Sequence, residues 1–124
     1  ACNQMVMVGA IQAVAEALHF AAAAGADPAR VRQALGGGSA GSRVLEVMGG
    51  RMVDRDFAAG VQARLNHKDY GVVLAEACRL GVPMPVAAAV CQQLNALMAR
   101  GWGHSDTASL LRVLESVASA ACER

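Results

Sequence analysis

The stretch NQMVMVGAIQAVAEALHFAAAA, Asn3 to Ala24, decides the fold. Nearly every residue in it is apolar or small. The exceptions Gln12, Glu16 and His19 recur at i, i+4 and i+7, one narrow polar stripe along a helix. A helix apolar over most of its circumference needs cover on most sides, so it is either the central helix of the domain or packs against something beyond these residues. Gly9, Ala10, Ala13, Ala17 and Ala21 permit close backbone approach, and the apolar girth exceeds what a small domain covers, so a homodimer at least is expected. Gly9, Gln12, Glu16 and His19 interrupt the apolar run before the roughly 18 residues of a membrane span, and no membrane association is expected. Ala1 is no capping residue. Asn3 could cap weakly, and the true helix start could lie upstream.

Working outward, Gly25 ends this helix, and Asp27-Pro28 supplies an N-cap followed by a proline suited to the first helical position. A second helix runs to about Leu35. The loop from Gly36 to Ser42 leads to a third, Arg43 to Met52, with helical spacing through Val44, Val47 and Met48. Val61 to Leu65 alternates in the manner of a strand but is read as an extended entry into a fourth helix, from about Leu65 to Leu80. Pro85 opens a fifth, Val86 to Arg100, and Asp106 is a natural N-cap for a sixth carrying Leu110, Leu111, Leu114 and Val117. The expectation is an all-α domain of six helices, 1–124, around the long apolar first one.

Composition agrees. The 124 residues suffice for one modest domain and not for two; 55% are hydrophobic but only 3% aromatic, which favours alanine-rich helices over a β-sandwich. A net charge of +1, with arginines and acids scattered, leaves no electrostatic footprint for nucleic acid. Cys2, Cys78, Cys91 and Cys122 form no C-x-x-C pair, and no basic leader precedes an apolar stretch. Reduced thiols in a cytoplasmic protein are expected.

Two motifs overlap in the glycine-rich loop. Gly36, Gly38 and Gly41 satisfy G-x-G-x-x-G, and Gly37, Ser39 and Gly41 satisfy the G-x-S-x-G nucleophile elbow, but both motifs act only after a strand, and here a helix precedes. A loop needing glycine for its backbone is the simpler reading. His19, His67 and His104 show no metal-ligand spacing, so no metal is expected. Lys68 is the only lysine of the chain and is followed by Asp69: either a solvated pair, or a compact ammonium placed for a carboxylate or phosphate.

The order and spacing of several segments resemble the C-terminal helical domain of the β-hydroxyacid dehydrogenase family, over essentially the whole chain. They are Asn3-Gln4, Ala13 to Leu18, Gly37 to Leu45, Met52 to Phe57, Lys68-Asp69, Pro83 to Val86 and Gly101 to Asp106; the glycine-serine loop and the Met52 to Arg55 segment look most similar to the tartronate semialdehyde reductase branch. The resemblance implies a fold like the 6-phosphogluconate dehydrogenase C-terminal domain, a preceding Rossmann domain, and a K-x-x-N pattern whose general acid/base lysine would fall immediately before Ala1. No catalytic residue is then expected in this chain itself. Asn3, with Gln4 as the weaker candidate, would bind substrate, although Asn3 could equally be a helix cap. Lys68 and Asp69 would meet the cofactor, NAD or NADP, near its reactive end. Ser39, Ser42 and Asp106 fall on landmarks read as structural. The family often has an aromatic residue where this chain has Val61, and no role is carried over to it.

The implied chemistry is reversible hydride transfer between a nicotinamide and a small hydroxy acid or semialdehyde, with the chain as substrate and dimerisation domain, inactive alone. The competing reading is a stand-alone helical interaction module whose partner covers the apolar first helix. A serine hydrolase using Ser39 is a third.

Overall fold

The computed structural model describes the backbone of residues 1–122 and the side chains of residues 1–117. Helix α1 runs Cys2–Ala23, α2 Pro28–Gly36, α3 Arg43–Asp54, α4 Ala63–Leu80, α5 Pro85–Ala99 and α6 Leu110–Cys122, the last entered through a 3₁₀ turn at Thr107–Ser109. Among the described residues there is no strand, only an isolated antiparallel bridge between Gln62 and Asp106.

Local chemistry sets most boundaries. Beyond the end of α1, Gly25 takes φ 87°, and the N–H groups of Gly25 and Ala26 donate back to the carbonyls of Ala22 (3.1 Å) and Ala21 (2.9 Å). Asp27 caps α2 by accepting from the Ala29 N–H at 3.0 Å, with Pro28 in the first turn. Ser42 caps α3 by accepting from the Leu45 N–H at 3.0 Å. Helix α4 begins at Ala63, two residues before the expected Leu65. Its first-turn donors are satisfied by another part of the chain: Ala63 N–H donates to the Ser105 carbonyl at 2.8 Å and Arg64 N–H to that of Gly103 at 2.9 Å.

Helix α1 touches every other helix and is central as expected. It is not covered on most sides. Val8, Ile11, Ala15 and Leu18 enter the core with Leu94 and Leu97 of α5, Leu110 and Val113 of α6, Met52 and Tyr70, while Val6 and Phe20 are each 75% exposed. Two further expectations, for Asn3 and for Val117, are corrected. Asn3 does not cap α1, because the helix already begins at Cys2 with Ala1 in the cap position. Within the polar stripe Gln12 is buried, its Nε2 donating to the Glu16 carboxylate at 3.0 Å. In α6, Val113 is buried in place of the expected Val117, which is exposed. By length and composition, α1 is the one described helix apolar enough to cross a membrane, and a third of that stretch is buried in the bundle.

Candidate functional site

Asn3 and Gln4 occupy the first turn of α1. The Asn3 side chain is exposed; Gln4 is half-buried, and its Oε1 is buried without a described partner. The next residue, Met5, offers its carbonyl to the Tyr70 hydroxyl at 2.7 Å, tying α1 to α4. Tyr70 directly follows Lys68-Asp69. This hydrogen bond ties the start of α1, which carries Asn3-Gln4, to α4, which carries Lys68-Asp69. Burial pushes the Tyr70 phenol above its ordinary value, with the Gly9 backbone opposing, so it remains a protonated donor at neutral pH. Lys68 is exposed and forms no ion pair with a described residue; Asp69 is half-buried.

One turn along α1 from Asn3, Met7 lines a cleft of about 180 Å³ together with Ile11, Arg51, Val61, Asn66, Asp106 and Thr107. Asp106 is buried and organises its wall. One carboxylate oxygen accepts from the N–H groups of Gly60 (3.0 Å) and Val61 (3.2 Å), the other from Ala108 (2.9 Å), and Arg51 Nη1 stands 3.8 Å away. The cap foreseen at this position is thus also a crosslink between the segment before α4 and the entry to α6. Below it, Asn66 Nδ2 donates to Thr107 Oγ1 at 2.6 Å. Arg112 stacks over Trp102 at 3.9 Å and over Phe57 at 5.3 Å, holding the same two segments together from outside.

The glycine-rich loop is no elbow. It follows helix α2, and Ser39 is exposed in the turn. Gly41 is required by close approach: a Cβ there would lie 2.6 Å from the Gly36 carbonyl oxygen. Of the histidines, His67 is engaged with Asn95 Oδ1 at 2.7 Å. Composition and spacing did not single out Tyr70, Asn66 or Arg51. The available signal was the i, i+4 pairing of Asn66 with the chain's single tyrosine on a polar stretch of α4.

A nicotinamide cofactor presents amide and hydroxyl groups and phosphates. The ammonium of Lys68, with no ion pair among the described residues, and the carboxylate of Asp69 are a donor and an acceptor suited to the first of these. No strand-to-helix turn that could cradle phosphates exists among the described residues. The donor set fits one side of such a cofactor.

Residues 1–114 match the family described as NAD-binding of NADP-dependent 3-hydroxyisobutyrate dehydrogenase. The chain belongs to this family. It is 46% identical over 118 residues to the 2-hydroxy-3-oxopropionate reductase of Escherichia coli strain K12, covering 94% of this chain and 40% of that protein. It is 34% identical over 113 residues to a probable 3-hydroxyisobutyrate dehydrogenase-like protein, mitochondrial, of Arabidopsis thaliana, covering 91% of this chain and 34% of that one. In fold it matches the crystal structure of 3-hydroxyisobutyrate dehydrogenase from Salmonella typhimurium with a TM-score of 0.87 at 24% identity, over 90% of this chain and 39% of the other. The chain thus spans about two fifths or less of the length of these relatives, and its helices are a 3-hydroxyisobutyrate dehydrogenase family fold.

Proposed function

We propose that residues 1–124 are the substrate and dimerisation domain of an NAD(P)-dependent β-hydroxyacid dehydrogenase whose intact form reduces tartronate semialdehyde to glycerate, or oxidises acids like 3-hydroxyisobutyrate. The observation that carries this reading is the 46% identity, across nearly the whole chain, to a 2-hydroxy-3-oxopropionate reductase. The three free thiols Cys2, Cys78 and Cys91 suit a reducing cytoplasmic setting; the side chain of Cys122 lies outside the described residues.

When bound, the nicotinamide supplies or accepts the hydride. The chain's own residues position and exclude. Asn3, held in the first turn of α1, hydrogen-bonds the substrate hydroxyl or carboxylate, and Gln4 offers its unpartnered Oε1 beside it. Lys68 places its ammonium against the cofactor near the reactive end, and Asp69 orients that neighbourhood. Tyr70, locked to the Met5 carbonyl, keeps the two pairs in register, which is where a small positional error would cost most. On this reading the proton is supplied by the general acid/base lysine that the family's K-x-x-N pattern implies one turn before Asn3.

The coding sequence upstream of the Ala1 codon tests the arrangement. A lysine codon directly before Ala1, preceded by a glycine-fingerprint β-α-β domain, is the expected result. A start codon there would leave a helical interaction module, whose partner would cover the exposed Val6 and Phe20.

A further inference from the structure

Helix α1 is anchored unevenly along its length. Val8 is its first fully buried residue, and beyond it Ile11, Ala15 and Leu18 sit in the core. Residues 2–7 are exposed or half-buried, with Met7 packed against the core. Among the described residues, the only side-chain hydrogen bond joining this first segment to the rest of the bundle is that of the Tyr70 hydroxyl to the Met5 carbonyl, at 2.7 Å. Gly9 stands at the boundary between the lightly held segment and the anchored one. Glycine weakens a helix interior, so it is retained there for close approach or for freedom of the backbone. Packing within the bundle does not demand it: a Cβ at Gly9 would meet only the Tyr70 hydroxyl, at 4.0 Å, an ordinary contact.

The phenol therefore stands beside the glycine itself, and the Gly9 backbone N–H opposes the rise that burial imposes on its acidity. A regular α-helix pairs the N–H of Gly9 with the carbonyl of Met5. Here one hydroxyl, able both to donate and to accept, meets the two ends of that bond. A side chain inserted at the i→i−4 ladder is a physical cause of helix bending, and this one keeps both backbone groups satisfied as the turn opens. Room for the bend lies on the same side. A cleft of about 390 Å³ separates Met5 and Val6 from the turn Pro83 to Val86, and Gly9 and Tyr70 line it between them.

We infer that residues 2–7 of α1 form a strap that pivots at Gly9 over this cleft, with the Tyr70 hydroxyl as its latch. The strap carries Asn3 and Gln4, whereas Lys68 and Asp69 stay with α4, so the pivot changes the distance between the two pairs. Its consequence for turnover rests on the dehydrogenase reading above; the pivot itself rests on the fold alone. Tyr70 is a positioning residue, acting through the Met5 carbonyl.

The experiment measures amide hydrogen exchange along α1, Tm, and steady-state turnover of tartronate semialdehyde with NADH or NADPH in the full-length protein and its Gly9→Ala, Gly71→Ala and Tyr70→Phe variants. Gly71, inside α4, has nothing within 4 Å of an added Cβ, so Gly71→Ala stabilises a helix away from the pivot. In the wild type, the amides of residues 5–9 exchange at least about tenfold faster than those of 11–18. Both alanine variants raise Tm. Gly9→Ala alone slows exchange over 5–9, about fivefold, and lowers kcat about threefold with KM changed less, because the stiffened strap moves less often. Tyr70→Phe speeds the same exchange about fivefold, the loss of one hydrogen bond. Equal protection of 5–9 and 11–18 in the wild type, or unslowed exchange in Gly9→Ala, overturns the pivot while the dehydrogenase reading stands. Slowed exchange with kcat unchanged, or the same kcat loss in Gly71→Ala, overturns the strap as a device for turnover. A wild type that oxidises neither cofactor, with exchange as expected, overturns the dehydrogenase reading and upholds the pivot.

Discussion

Asp106 shows how much a single side chain does in this chain. A sequence reader sees an aspartate before an apolar helix and infers a cap, which is half of its role. The other oxygen takes the N–H groups of Gly60 and Val61, a contact between segments far apart in sequence that no local pattern signals. Asp106→Ala strands three backbone donors and removes a partner of Arg51, so urea denaturation should show a loss of about 3 kcal/mol, well beyond a simple cap deletion of about 1 kcal/mol. Tyr70 was not singled out in the sequence, because its bond to the Met5 carbonyl is a tertiary contact that no local pattern signals. Its folded pKa lies above the unfolded value of 10.0, so its contribution is fully present below pH 10 and is lost as pH rises through the folded value. Thermal melts of the wild-type protein should therefore fall more steeply above pH 10 than those of Tyr70→Phe, which is less stable at pH 7 by about 1 kcal/mol for the lost bond to Met5.

At the scale of elements, the helices were readable because their stops and starts are local: Gly25, Asp27-Pro28, Ser42 and Pro85 each act on adjacent backbone. The start of α4 was misplaced because its donors are answered from the turn at residues 103–105, a tertiary effect. The glycine-rich loop illustrates the opposite risk, two catalytic motifs matched by residues whose requirement is steric. Gly41→Ala would push a Cβ into the Gly36 carbonyl and should cost about 1–3 kcal/mol, and Ser42→Ala about 1 kcal/mol through the lost α3 cap. Ser39→Ala, on an exposed turn, should stay within about 0.5 kcal/mol of wild type in the same denaturant series.

For the whole molecule, the apolar first helix correctly marked an all-α bundle with α1 at its centre, but its girth was not a measure of its burial. The buried face through Val8, Ile11, Ala15 and Leu18 is narrow, and Val6 and Phe20 stand out into solvent. A second copy of the protein covering that face is the expected arrangement. Sedimentation of the full-length protein at micromolar concentration should show a dimer or larger, and Val6→Asp with Phe20→Asp should shift it toward monomer. The site pairs were legible only through family resemblance, since exposed Asn3 and Lys68 carry no local signature of a ligand. What the three-dimensional arrangement adds is the Tyr70–Met5 hydrogen bond, which ties α1 to α4. The most direct test of the account is turnover of tartronate semialdehyde with NADH or NADPH by the full-length protein and by its Asn3→Ala variant. Cofactor oxidation by the wild type, with kcat/KM reduced about tenfold or more in a folded Asn3→Ala, is the predicted result. A folded full-length protein that oxidises neither cofactor, or an Asn3→Ala variant as active as wild type, would contradict it.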